Sequence, residues 1–455
     1  MDKKMIGILL LLIAGITSIF FFFTHKKENQ KDEVVNELSA SVLKMENDKV
    51  TVVDEKMGIY TFSIQDMKAS VGDTIAIRYA GLLNKDTELQ DNTVIEYSTL
   101  TEDNDLLPTE WLEEGIFSNY IDIAYKKLQT LSLDEKLGQL LLVRYKEDVA
   151  LKDLNTYHFS GFVFFEQDFK NKTSDSVKEM INTLQKNASI PLLTAVDEEG
   201  GKIVRVSSNP NLVTSPFKSS KELYKEGGFP KITEDTKEKS DILNKLGLNL
   251  NLAPVVDVST NTSDYMYERS FGENATLTST YAKTVIEASK GTGVSYTLKH
   301  FPGYGNNADT HTGSVVDNRT LESILTNDIP PFDAGINAGA EAVLVSHNIV
   351  NSIDNTNPAS LSPSIHNILR NRLDFSGIII TDDLYMGATS SIKNSTVKAL
   401  LAGNDLIITT DYEQSFSELK AALNNGTISE DLINRVALRI LSWKYYKGLI
   451  FENEK

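Results

Sequence analysis

At 455 residues the chain is too long for one average domain and long enough for a large barrel with a small accessory module. Its hydrophobic fraction of 41% supports a real core and excludes wholesale disorder. A net charge of −18 opposes sequence-independent nucleic-acid binding, and the lack of cysteine excludes disulfides, Cys-ligated zinc and a lipid-modified amino-terminal cysteine.

Residues 5–23 are uncharged and mainly apolar, flanked by Lys3-Lys4 and His25-Lys26-Lys27. As a helix this run spans about 28 Å, close to the roughly 30 Å of bilayer hydrocarbon. Phe20-Phe21-Phe22-Phe23-Thr24 offers no small-residue cleavage site. Residues 1–25 are therefore expected to be a single-pass amino-terminal transmembrane anchor holding an extracellular catalytic domain; a cleaved signal and secretion is the alternative. Residues 26–47 are charged without sustained apolar periodicity and read as a solvated linker. Over residues 48–100 the character changes. The runs 50–53, 59–64, 74–79 and 94–97 alternate or are β-rich, with Gly58, Gly72-Asp73 and Asp91-Asn92 as punctuation. They predict a small antiparallel β module, a spacer in the plain reading and a wall- or carbohydrate-binding unit in the other.

From residue 118 to 455, apolar strands alternate with longer helical segments. Candidate strands are 140–143, 161–165, 192–196, 249–253, 295–298, 342–345, 377–380 and 405–408. Such a rhythm predicts an α/β fold: a (β/α)8 TIM-type barrel, preceded by the β module and the transmembrane segment. A doubly wound sheet is the alternative, but no Gly-x-Gly-x-x-Gly follows any of these runs. The last helix carries Leu432, Val436 and Ile440 at i/i+4 spacing.

In such a barrel the carboxyl ends of the strands build the site, and Asp197, Asp257, Lys299-His300, His347, Asp382 and Asp411 fall there. Asp382, placed by a rigid strand, suits attack on an anomeric carbon; a helix cap is the alternative, with Asp383 equally eligible. In Asp309-Thr310-His311 the carboxylate can orient the imidazole as a general acid/base, although an ordinary polar loop has the same pattern. His300, Asp309, His311, His347 and Asp382 are all metal-ligand types, but no compact spacing such as His-Glu-x-x-His occurs. No Gly-x-Ser-x-Gly elbow is present either, which disfavours a serine hydrolase.

Several ordered motifs resemble family 3 glycoside hydrolases, in their β-N-acetylhexosaminidase branch. They are Ser132-Leu133-Asp134-Glu135-Lys136-Leu137-Gly138-Gln139-Leu140, Ala195-Val196-Asp197-Glu198-Glu199-Gly200-Gly201, Leu252-Ala253-Pro254-Val255-Val256-Asp257 and Arg269-Ser270-Phe271-Gly272. Lys299-His300-Phe301-Pro302-Gly303, Pro330-Pro331-Phe332, Ser346-His347 and Thr381-Asp382-Asp383-Leu384 complete the set, so that the resemblance covers residues 131–449. It implies Asp382 as nucleophile and His311 as acid/base assisted by Asp309. It also implies Asp197, Arg269, Lys299 and His300 as ligands of the sugar hydroxyls, with His347 lining the same pocket. Many β-glucosidases of the family take their acid/base from a domain after the barrel; here the sequence stops, which favours the loop His-Asp pair. Two departures stand out. The family commonly has His where this chain has Tyr304, and the loop from Gly305 to Asp309 is one residue shorter.

The reaction so implied is retaining hydrolysis of terminal β-linked N-acetylglucosamine, needing no metal or organic cofactor. The expected partner is an N-acetylglucosamine-containing glycan or muropeptide derived from peptidoglycan, with membrane contact through the amino-terminal segment and no nucleic acid. One rival keeps the site and changes the acceptor to phosphate, which a neutral His does not repel. The other is a non-catalytic, membrane-tethered wall-binding protein.

Overall fold

The computed structural model describes residues 35–451, except 47, 55–58, 65–66, 72, 81–82, 84–93 and 100–114. Strands β1 (Val35–Glu46), β2 (Lys49–Asp54), β3 (Ile59–Ser63), β4 (Thr74–Ala80) and β5 (Val94–Thr99) form one antiparallel sheet in the order β3-β2-β1-β4-β5. Its side chains alternate, as a sheet with one covered face requires, and Val52, Phe62, Ile75 and Ile77 make its core. The central strand β1 falls mostly in the segment read as a linker. That reading is corrected: Leu38, Ala40 and Val42 alternate inward with Ser39 and Ser41 between them, and the charged Glu37, Lys44 and Glu46 on either side hid the period.

The expected membrane anchor is also corrected, together with the localisation and membrane contact built on it. Among the described residues no helix is long and apolar enough to cross a membrane. Residues 5–23, on which the anchor rested, lie outside the described residues.

The rest of the chain is a parallel eight-stranded barrel. Its strands are β6 (Leu141–Arg144), β7 (Gly161–Phe164), β8 (Leu193–Val196), β9 (Leu250–Asn251), β10 (Ser295–Phe301), β12 (Ala342–Val345), β14 (Ile378–Thr381) and β15 (Ile407–Thr409). All eight expected runs are represented. Each is buried on both faces, which explains their unbroken apolar character. β9 is short because Pro254 supplies no N–H to extend the ladder, although Val255 bridges to Lys299 beyond it. A minor pair, β11 (Val316–Asp317) with β13 (Ile349–Val350), sits above the barrel mouth between strand-end loops.

Closure occurs between β14 and β15. They meet through the Ile380–Leu406 bridge, with the Thr381 N–H donating to Leu406 O (3.1 Å) and the Leu406 N–H to Ile379 O (3.1 Å). Below this junction Asp405 accepts from Arg370 (2.5 Å), from Arg439 and from the Ile379 N–H (2.8 Å). The final helix Glu430–Tyr446 thus plugs the amino-terminal end of the barrel. Lys444 donates there to Gln139 Oε1 (2.7 Å) and Ser160 O (2.9 Å), and Trp443 Nε1 to Glu341 (2.7 Å). With that end filled, the carboxyl rim is where the strands present polar side chains.

Candidate active site

β8 ends at Val196 and delivers Asp197, while β10 delivers Lys299 and His300. Lys299 Nζ lies 2.6 Å from Asp197 Oδ1 and 2.7 Å from Glu199 Oε1. Arg269 forks onto Glu199, Nε to Oε2 at 3.0 Å and Nη2 to Oε1 at 2.6 Å, and its Nη2 also reaches His300 Nε2 at 3.3 Å. Four of the expected sugar-binding residues are therefore joined in one network, and Glu199 is its hub.

The charges in this floor hold one another. Burial pushes the Glu199 carboxyl up, but Arg269 and Lys299 outweigh it and keep it well below the usual range. Burial likewise opposes the charge of Lys299, and Asp197 and Glu199 restore it; for Arg269 the restoring partner is Glu199. The neighbouring Glu198 does a different job. It is buried and accepts from the N–H groups of Arg205 (2.8 Å) and Val206 (2.6 Å) and from Ser207 Oγ (2.5 Å), shaping the loop rather than the pocket.

His300 is fixed from behind by Asp257. Its Nδ1 is 2.7 Å from Asp257 Oδ2, and the other oxygen of that carboxylate accepts the Tyr304 N–H at 2.7 Å. With Nδ1 turned to the carboxylate, Nε2 is the nitrogen left to face the Arg269 side of the site.

β14 places Asp382 and Asp383 side by side, and their surroundings separate them. Asp383 spends both oxygens on the protein: Oδ1 accepts from Tyr385 N (2.9 Å) and Thr410 N (3.0 Å), Oδ2 from Thr410 Oγ1 (2.6 Å). Asp382 takes one such bond, from the Asp383 N–H (2.9 Å). Burial pushes its pKa up, yet His347, His300, that N–H and His311 outweigh the effect and hold it below the ordinary carboxylate value. The arrangement supplies an ionised carboxylate with unspent acceptor capacity.

His347 has no nitrogen to spare. Its Nε2–H donates to Asp383 O (3.0 Å) and its Nδ1 lies 2.7 Å from Ser360 Oγ, while burial pushes its pKa below the ordinary imidazole value. It supports the turn that carries the two aspartates.

His311 stands on the loop between β10 and β11, its side chain 59% exposed and its Nδ1 2.6 Å from Asp309 Oδ1. Burial pushes Asp309 up, and the His311 N–H, the imidazole and Tyr265 bring it below its ordinary value. The loop touches the Asp382 loop directly: Gly387 N–H donates to His311 O (3.3 Å) and Ala388 N–H to Thr310 O (3.2 Å). A side chain at Gly387 would press its Cβ to 2.7 Å from that carbonyl. An ionised carboxylate and a carboxylate-held imidazole are thus carried on adjoining loops.

Sequence reasoning named Asp257 without a role and overlooked Glu199, Tyr265 and the service of Asp383. Glu199 had a signal in the Asp197-Glu198-Glu199 run. Its partners Arg269 and Lys299 are remote in sequence, so only folding shows which of the two glutamates meets them.

Comparison with known proteins follows the same lines. The family model described as "Glycosyl hydrolase family 3 N terminal domain" matches residues 132–443. A beta-hexosaminidase of Xylella fastidiosa (strain M23) is 30% identical over 292 residues, which cover 62% of this chain and 86% of that protein. One from Xanthomonas campestris pv. campestris (strain B100) is 29% identical over 291 residues, 62% and 87% of the two chains. Among solved structures, a glycoside hydrolase family 3 beta-N-acetylglucosaminidase from Paenibacillus sp. str. FPU-7 aligns with a TM-score of 0.66 and 28% identity, over 72% of this chain and 66% of that one.

Proposed function

The chain belongs to glycosyl hydrolase family 3, and from that premise and the pocket geometry we propose that it is a retaining β-N-acetylhexosaminidase acting on terminal β-linked N-acetylglucosamine. Similarity to beta-hexosaminidases and to a beta-N-acetylglucosaminidase supports the substrate class. The observation that carries the chemistry is the pairing of an ionised Asp382 with an Asp309-held His311 across adjoining loops.

In the first step a carboxylate oxygen of Asp382 bonds to the anomeric carbon. The glycosidic bond breaks, and the protonated His311 gives its proton to the departing oxygen. In the second step neutral His311 takes a proton from water as that water attacks the same carbon. The sugar–Asp382 bond breaks and the carboxylate is regenerated with the original stereochemistry. Asp309 stabilises the imidazolium and sets its orientation. Asp197, Arg269, Lys299 and His300 hold the sugar hydroxyls, Glu199 and Asp257 fix those residues, and His347 steadies the Asp382 turn. The expectation of a peptidoglycan-derived substrate drew on the amino-terminal segment as well as the family resemblance; the proposal here stops at the hexosamine.

Incubation with a 5-fluoro-N-acetylglucosaminyl fluoride should trap a glycosyl adduct on Asp382, found by peptide mass spectrometry, and Asp382→Ala should abolish release of 4-nitrophenol from its β-N-acetylglucosaminide. An adduct elsewhere, or an inverted anomer as first product, would falsify the assignment.

A further inference from the structure

We propose that Tyr304 is a positioning residue for the acid/base loop, holding His311 at the pocket through its phenolic hydroxyl. The inference rests on the hexosaminidase reading and concerns the place where this chain departs from the family pattern.

The loop leaves β10 at Phe301 and is gathered again at β11, Val316–Asp317. Tyr304 is buried to 2% exposure near its root. The Tyr304 hydroxyl accepts the Thr310 N–H at 2.9 Å and lies 2.8 Å from Thr310 Oγ1, so it crosses the waist of the loop to the residue just before His311. The phenol is itself firmly seated. Its ring stands edge-on to His300 at 5.6 Å and tilted to Tyr265 at 5.8 Å, with Val255 and Met266 around it. Its backbone N–H is bound by Asp257, the carboxylate that also fixes His300.

One rigid unit therefore controls both halves of the chemistry. Asp257 sets His300 in the sugar floor, and Tyr304, rooted on the same carboxylate, sets the segment bearing the proton donor. From the other side Gly387 and Ala388 hold the carbonyls of His311 and Thr310. The Thr310–His311 backbone is seated between the two, while the imidazole projects outward. An exposed histidine on an untied loop would sample many positions, and proton transfer needs one of them. Phenylalanine at 304 keeps the ring packing and removes the hydroxyl, so it separates positioning from folding.

The test uses the full chain and two substrates. For 4-nitrophenyl β-N-acetylglucosaminide, whose leaving group needs little protonation, kcat/KM of Tyr304→Phe should stay within about threefold of wild type; for N,N′-diacetylchitobiose it should fall roughly tenfold or more. Turnover of the aryl substrate by the variant should rise with added azide, which needs no base to attack the glycosyl enzyme. Thr310→Val, which loses only the side-chain leg, should show the same pattern to a smaller degree, and it decides the matter if the Phe variant does not melt cooperatively. Unchanged chitobiose hydrolysis, or an equal loss on both substrates without azide rescue, overturns the proposal. Wild-type protein inactive on both substrates, or His311→Ala indistinguishable from wild type, overturns the hexosaminidase reading itself and the proposal with it.

Discussion

Glu199 bonds both Lys299 and Arg269 in a space that water hardly reaches. Removing its charge leaves two buried cations sharing Asp197. Glu199→Gln is therefore expected to cost on the order of 3 kcal/mol of folding stability. It should also raise KM more than it lowers kcat, as the floor loses its alignment; thermal melts and steady-state kinetics would check both, and a KM equal to wild type would count against this role. At this scale legibility followed regularity. Lys299, His300 and Asp382 were readable because each lies near or just past the carboxyl end of a buried strand, so the register predicts the rim. Spacing alone left Asp382 and Asp383 level, and only the family resemblance chose the first; the physical reason, and the part played by Glu199, came from where Thr410 and Arg269 arrive from distant parts of the chain.

At the scale of elements, the loop that carries His311 depends on a cluster at its stem. Arg319 donates to Gly303 O (3.2 Å), to Asp317 Oδ2 (2.7 Å) and to Asp328 Oδ2 (2.7 Å), tying both ends of the loop to the following helix. Gly303 is required there, because a Cβ would meet Asp328 Oδ1 at 2.4 Å. One guanidinium serves two carboxylates. Burial pushes Asp328 from 3.8 to about 7, with Arg319 opposing and Asp257 and Asp317 adding to the rise. A folded value above the unfolded one means stability that is full below about pH 4 and lost as pH rises through 7. By linkage the span corresponds to roughly 4 kcal/mol. Wild type should thus show a downward contribution to melting temperature between those limits that Asp328→Asn lacks; parallel curves for the two proteins would exclude the effect. Element recognition from sequence succeeded for the barrel, where buried strands are apolar on both faces. It failed for β1, where the outward residues are polar, charges flank the short alternating run and the strand read as a tether.

Across the whole molecule, the eight strands are held as a ring partly from beneath. Asp405 neutralises Arg370 and Arg439 where β14, β15 and the last helix converge. Asp405→Ala strips two buried guanidiniums of their carboxylate and should destabilise the protein by about 3–5 kcal/mol. Turnover measured well below the melting temperature should be little changed, since the site lies at the opposite end. A melting temperature equal to wild type would show that the plug is dispensable. The barrel was legible from rhythm alone, whereas the single-bridge junction of its seventh and eighth strands was not, because neighbouring apolar runs carry no local signal of how fully they pair.

That closure has a kinetic consequence. Where β14 meets β15 the ladder shrinks to one bridge and a few hydrogen bonds, so parting these two strands breaks less than parting any fully laddered pair. In deuterium oxide the amide of Thr381 should exchange sooner than those of the β7–β8 pair. The weakest stave of the cask would then be the one that bears the proposed nucleophile, and breathing there would grant Asp382 a freedom that the Lys299–Glu199–Arg269 floor is denied.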